Sequence, residues 1–404
     1  MKKSIDNKTP KALLVGSSFS AVPIFFALKN HGIHVSVCGS IKSDPCHQYA
    51  DASIYIDYSK PDELMRVVEK ENFDYLVPTC NDYSYMSCAL VAEQHGFPGF
   101  DKYDLASILH TKSKFRQATE KHSLPVPKFV RHRIGQVIDT KKLCFPLLVK
   151  PVDSFSGRGI RKIMNREELP LAIQDAFQAS RSGELVLEEC VDGTLHSHSA
   201  FIENQNIVLD FFVDEFCTTY PYQVNCSNHP SALSPGIKEA VREVIQQMVS
   251  VLQLNDGLLH TQIIVNGSKF WIIECMRRCP GDLYGSLIGF STGIEYAGLF
   301  IRPFLNMKLP SITKRKTVKY FGRHTISIME PLINFSFSQH IPAEAVEIVA
   351  LKESGAILNV APFDKLAILF AEFKDRETMF EITSRIADFI SIKSYGDFAR
   401  AGDQ

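Results

Sequence analysis

Glu274, Arg277, Arg278 and Asp282 crowd together in WIIECMRRCPGDLYG, directly behind an apolar run. A carboxylate and two guanidinium groups where a buried strand ends suit a metal ion and an anionic ligand, and they equally suit a strand-end salt bridge. A second candidate is the loop DSFSGRG, Asp153 to Gly159, behind Lys150. Its Ser154, Ser156, Gly157 and Gly159 let backbone N–H groups approach an oxyanion closely, Lys150 adds a point charge, and Arg158 adds a planar fork. A triphosphate needs such groups. The lysine precedes the glycines in a strand-loop-strand setting, so this is no Walker loop, and a plain flexible hairpin is the other reading. A third is LVLEECVDG, where Glu188, Glu189 and Val191 fall just before a turn. Backbone at such a point can hydrogen-bond the edge of a nucleotide base, or it can be a solvated strand end. Finally, GLLHTQIIV and KFWIIEC flank Asn266-Gly267 as a hairpin, which puts Gln262 and Glu274 on neighbouring strands. If register and face agree, their oxygens can hold Mg2+ (or Mn2+).

The elements that must position these residues divide the chain. Up to residue 104, KALLVGSS, HVSVCGS, ADASIYID and DYLVPTC alternate with helical runs, the pattern of a doubly wound parallel α/β domain. A dinucleotide site there is disfavoured, because Gly16 is the only fingerprint glycine after the first strand and no acidic residue closes the second. From Asp104 onward, DLASILHTKSKFRQATEKHSLPVPKF reads as one helix ending before Pro125-Val126-Pro127. HSHSAFIENQNIVLDFFVDEF reads as a hairpin turning near Asn204 to Asn206. Ser234-Pro235 starts a helix whose apolar face is Ile237, Ala240, Val241, Val244, Ile245, Met248, Val251 and Leu252. The last hundred residues carry alternating runs with no chemical motif.

Composition sets limits on function. Lys and Arg (44) nearly balance Asp and Glu (45), so no global field recruits nucleic acid or an anionic membrane. The 10 cysteines show neither disulfide-scaffold nor zinc-ligand spacing and read as free thiols in a reducing compartment. Polar residues interrupt the apolar N-terminal stretch, and no later run is long enough to span a membrane. The expectation is a cytoplasmic protein.

Taken in order, these pieces resemble the ATP-grasp superfamily, and the resemblance covers nearly the whole chain. KSKFRQATEKHSLPVP puts Lys112 at the family's first ATP-binding lysine, and FPLLVKP puts Lys150 at the second, ahead of the lid loop. LVLEECVDG matches the adenine hinge. The metal signature falls on Gln262, Glu274, Met276 and Arg278, and Gln in the first place is similar to carbamoyl phosphate synthetase. Met276 departs from the usual asparagine, a thioether being a poor Mg2+ ligand. Leu195 stands where many members carry a ribose-binding glutamate, and His196 beside it resembles biotin carboxylase.

The resemblance implies a pre-ATP-grasp α/β domain over 1–104, a two-lobed ATP-grasp domain over 105–308 with its lid lobe at about 125–188, and a β-rich extension over 309–404 packed on it. It implies an ATP-dependent ligase that activates a small-molecule carboxylate as an acyl phosphate for attack by an amine, in an enzyme that is commonly a homodimer. Lys112 and Lys150 would hold the α- and β-phosphates, the 153–159 loop would close over the γ-phosphate, and Gln262 and Glu274 would hold the metal. Arg278, with Arg277 as second choice, would bind the carboxylate. The alternatives are a kinase-like phosphoryl transfer in the same fold, and a nucleotide-binding regulatory or assembly protein whose metal site is weakened at Met276.

Overall fold

The computed structural model describes residues 9–136, 138–153, 157–310, 318–353 and 355–394. The first layer comprises β1 (Lys11–Val15), α1 (Val22–Asn30), β2 (His34–Cys38), α2 (Cys46–Tyr49), β3 (Ala52–Ile54), α3 (Pro61–Lys70), β4 (Tyr75–Pro78) and α4 (Asp82–His95). Its parallel sheet has the order β3-β2-β1-β4. β1 and β2 are buried along all but their first residue, as a sheet covered on both faces demands. The chain leaves β1 for β2 on one side while β4 lies on the other. That reversal opens a crevice at the carboxyl ends of β1 and β4.

Next come α5 (Tyr103–His110), α6 (Lys112–Lys121), β5 (Phe129–Arg133), β6 (Leu147–Pro151), β7 (Arg161–Ile163), α7 (Leu169–Ala179) and β8 (Glu184–Glu189). The strands form a small antiparallel sheet, β5-β8-β6-β7, with its own core of Leu147, Val149, Ile163, Ala172 and Leu187. Where a single helix is expected over 104–123, the structure has two, because Thr111 is extended (φ −106, ψ 116). The break follows His110, whose ring is held by the Asp82 carboxylate at 2.9 Å and by the Arg277 backbone N–H at 3.1 Å. A tertiary clamp outweighs the local helical preference.

The third layer contains β9 (Thr194–Glu203), β10 (Asn206–Phe216), β11 (Cys226–His229), α8 (Pro235–Leu252), β12 (Gly257–Asn266), β13 (Lys269–Met276), α9 (Tyr284–Thr292), α10 (Tyr296–Ile301) and β14 (Tyr320–Ile326). Its antiparallel sheet runs β13-β12-β9-β10-β11-β14 and continues through Ala367–Phe373 to Ala345–Ala350. Those two strands near the carboxyl end are bonded into this sheet, whereas Leu332–Ile333 with Ile357–Leu358 and Phe335–Gln339 with Ile390–Ser394 form separate two-stranded sheets. The β9–β10 turn falls at Asn204 and Gln205, both with positive φ (49 and 64), the conformation of a tight hairpin turn. α8 starts as its Ser-Pro signal requires, with Ser234 Oγ accepting from Ile237 N–H. Its core residues include Val241, Ile245, Met248 and Val249, whereas Val251 is 39% exposed, a correction to the expected face. At about 100° per residue, Val251 falls about 60° from Met248 and about 100° from Leu252, at the solvent edge of the stripe that Ile245, Met248 and Leu252 share.

Candidate active site

β12 and β13 hold Gln262 directly opposite Glu274, and Ser197 of β9 lies opposite Gln262. Directly opposed residues of antiparallel strands share a face, so the three side chains stand in one row across the sheet. Neither Gln262 nor Glu274 has a side-chain hydrogen bond among the described residues. A bulge between Gln262 and Ile263 sits beside the pair, a place where strands commonly re-aim side chains. Met276, two residues beyond Glu274, faces the same way opposite His260 and is buried.

The row continues through hydrogen bonds. Ser197 donates to one Glu215 oxygen at 2.7 Å, Ser227 to the other at 2.6 Å, and Arg323 Nη2 to Ser227 at 2.6 Å. Burial pushes the Glu215 carboxyl up, against the Arg323 charge and the two serine hydroxyls. Sequence reasoning missed Glu215, Ser227 and Arg323. The available signal was a carboxylate within the strand FFVDEF, which is otherwise buried and mostly apolar.

Lys150 and Glu188 belong to a buried triad. Lys150 Nζ lies 2.6 Å from one Glu188 oxygen and Arg116 Nε 2.7 Å from the other. Burial alone would raise the Glu188 carboxyl, but the Arg116 and Lys150 charges outweigh it and hold it at about 2. Arg116 also donates to Ile273 O at 2.7 Å, in the residue before Glu274. Arg116 was missed as well, although it lies one turn after Lys112 on the same helix face. Lys112 itself is the first residue of α6, partly buried.

The three hinge residues differ in what they present. Glu188 is paired on both sides, in the middle of the small sheet, so it offers no free edge for a base. Glu189 N–H donates to Lys128 O, and its carboxylate accepts from Cys144 N–H at 2.8 Å. Val191 lies beyond the strand, outside the ladder.

His196, the residue expected beside a ribose, is buried on β9. Both ring nitrogens are engaged, Nδ1 with Asp214 at 2.8 Å and Nε2 with Thr194 Oγ1 at 2.7 Å. It alternates with Ser197 along β9, which puts it on the opposite sheet face from Gln262 and Glu274, the face that α8 covers. In the 153–159 loop, Ser154 and Ser156 lie outside the described residues. Gly157 and Gly159 both have positive φ (73 and 72), and a Cβ at Gly157 would come within 2.7 Å of Pro221 O. Only glycine allows that approach. Arg158 is exposed at the same turn.

Beyond β13 the two arginines diverge. Arg277 is buried, with Nε on Asp101 at 2.7 Å and Nη2 on Asn255 O at 2.6 Å, so its charge ties the large sheet to the segment after α4 rather than facing a ligand. Arg278 Nη2 reaches Asp82 Oδ2 at 2.8 Å, at the first residue of α4. Burial would raise the Asp82 carboxyl, but Arg278 and His110 hold it well below the usual range. Asp282, with φ +54, accepts from Thr325 Oγ1 at 3.1 Å and pairs with Lys365. Its backbone N–H donates to Ser20 Oγ at 3.2 Å.

Arg116 thus ties the small β5-β8-β6-β7 sheet to the broad antiparallel sheet, with Lys150 on one side and the opposed Glu274 and Gln262 on the other. Residues 143–284 match the ATP-grasp domain. The chain is similar to the formate-dependent phosphoribosylglycinamide formyltransferase of Prochlorococcus marinus, 26% identical over 315 residues that span 76% of this chain and 79% of the relative. Its fold resembles the L-amino acid ligase of Bacillus licheniformis (TM-score 0.79, 16% identity, 96% of this chain and 99% of that one). It also resembles the biotin carboxylase domain of the Hydrogenobacter thermophilus 2-oxoglutarate carboxylase, solved with MgADP, ADP and bicarbonate (TM-score 0.75, 16% identity, 95% of this chain and 90% of that one). Residues 143–284 thus carry an ATP-grasp domain, and nearly the whole chain shares the fold of the ligase and carboxylase it resembles. Among the described residues, no helix is long and apolar enough to cross a membrane.

Proposed function

We propose that the chain passes the γ-phosphoryl group of ATP to a small-molecule carboxylate and that an amine then displaces phosphate from the acyl phosphate. The observation that carries this reading is the pair of hydrogen bonds that Arg116 donates, one to Glu188 in the small sheet and one to Ile273 O beside Glu274. It sets Lys150 and the Glu274 row against one buried hub, the positioning that phosphoryl transfer requires.

In this reading, Lys112 and Lys150 bind the α- and β-phosphates, with Lys150 passing from Glu188 to the nucleotide. The 153–159 loop covers the γ-phosphate and excludes water, and the backbone near Val191 meets the base. Among the described residues, no cluster of three or more His, Cys, Asp or Glu could hold a metal ion. Gln262 and Glu274 stand opposite each other with no side-chain hydrogen bond or ion pair among the described residues, and their oxygens would fit Mg2+ (or Mn2+), an ion that completes its shell with phosphate and water. Such an ion supplies charge neutralisation at the phosphates. Met276 adds no ligand. Arg278 orients the carboxylate, releasing Asp82 as it does so, and Asp282 holds the turn that carries it. The three-domain division at 104 and 308 follows the same reading, and the free, mostly buried cysteines suit a reducing cytoplasm.

The test is ADP and phosphate release over pooled carboxylates and amines, with products read by mass. Turnover that needs both a carboxylate and an amine supports the ligase reading. Turnover with the carboxylate alone would restrict the chemistry to phosphoryl transfer, and no release under any pairing would overturn the reading.

A further inference from the structure

The broad sheet ends on one side at Ala345–Ala350, and among the described residues no strand pairs with the outer edge of that segment. Its inner edge pairs antiparallel with Ala367–Phe373, Ile348 lying opposite Leu369. One residue beyond the strand and in the same register, Leu351 N–H donates to Leu366 O at 2.9 Å, so the odd-numbered residues turn their N–H and C=O groups inward. These groups alternate along an antiparallel ladder, and Val346, Ile348 and Ala350 therefore turn theirs to the open edge. Ile348 is 46% exposed there. Natural edges are usually blunted by proline, lysine or a covering element. AVEIVA carries the single charge of Glu347, with neither proline nor lysine.

We propose that two copies of this chain join along this edge, strand to strand and antiparallel, about a twofold axis through Ile348. A twofold axis normal to the sheet pairs each residue with one of the same parity, so the outward groups of the even-numbered residues meet one another. Centred on Ile348, the pairing sets that residue against its own copy and Val346 against Ala350, and closes about six backbone hydrogen bonds. Centred one residue earlier, it would set Glu347 against Glu347, a destabilising like-charge pair. The Ile348 register places Glu347 opposite Val349 instead, and Glu344 of each copy opposite Lys352 of the other. Lys352 pairs with Asp364 at 3.0 Å and keeps 29% of its side chain exposed for that second carboxylate. Val346 packs on the core that holds Leu369 and Phe373, so the junction extends this core and covers Ile348. The edge complements itself in hydrogen bonding, in shape and in charge, which is why a second copy is the partner. Two eight-stranded sheets become one.

The experiment follows the full chain by sedimentation velocity over a concentration series, with Ile348→Lys and Ile348→Cys beside the wild type. The wild-type chain should pass to a species of twice the mass of one chain as concentration rises. Ile348→Lys should keep the circular dichroism of the wild type and raise the dimer dissociation constant about tenfold or more, the scale of one lost interface hot spot. Mild oxidation of Ile348→Cys should give a covalent dimer whose linked peptide joins position 348 to position 348, because Cα atoms facing each other in such a pair lie about 5.5 Å apart, within disulfide reach. A wild-type chain that stays monomeric throughout overturns the proposal. So does a dimer that Ile348→Lys leaves equally tight, or a covalent dimer of Ile348→Cys linked only through other cysteines.

Discussion

In the proposed reaction Glu274 would be the side chain on which the chemistry turns, because it stands in register with Gln262 and makes no side-chain hydrogen bond or ion pair among the described residues. Glu274→Gln keeps the size and removes the charge, so folding should be unaffected while turnover falls about 10²-fold or more, the usual cost of losing one preorganised electrostatic contact. Steady-state ADP formation checks this, and undiminished turnover would remove Glu274 from the metal site. Glu188 is decided by its neighbours instead. Its carboxyl is held at about 2 against an ordinary 4.5. The depressed value contributes stability that is complete above about pH 4.5 and lost as pH falls toward 2. In Glu188→Gln, denaturant midpoints should therefore vary less with pH across that window than in the wild-type chain. Equal slopes would mean that the triad does not hold the carboxyl as described.

At the scale of elements, α6 is the part that joins lid and sheet. Local propensity reads 104–123 as one helix, yet the break at Thr111 turns Lys112 and Arg116 onto a helix of their own. Arg116→Met should leave Glu188 and Lys150 as an incomplete triad and cost about 3–5 kcal/mol, the range for removing one partner of a buried ionic group. It should also raise the KM for ATP, since the lid loses its bond to Ile273 O. Chemical denaturation and ATP-dependent rates check the two effects separately. If both stay at wild-type values, Arg116 is not the hub.

For the whole molecule, the decisive contacts join segments far apart in the chain. Arg277 with Asp101, Arg278 with Asp82, and Asp282 with Lys365 connect the loop after β13 to the first layer and to the segment after β14. Asp101→Asn should strand the Arg277 charge and destabilise the fold by about 3–5 kcal/mol. Adding Arg277→Met to that variant should recover part of the loss, because a paired charge and an apolar replacement both avoid a lone buried ion. A double variant no more stable than Asp101→Asn alone would show that Arg277 acts mainly through Asn255 O.

The alternation of strands and helices up to residue 104, the hairpin at Asn266-Gly267 and the order of lysines, glycines and carboxylate were all legible in the sequence. Each depends on periodicity or short spacing, which neighbouring residues enforce. The parity of strands was decided by tertiary pairing. It put Gln262 with Glu274 on one face and His196 on the other, because side chains alternate and only the partner's register says which face is inside. Nor could spacing tell Arg277 from Arg278. One is drawn into a buried pair with Asp101 and the other to the start of α4, and both partners come from parts of the chain that only folding brings near.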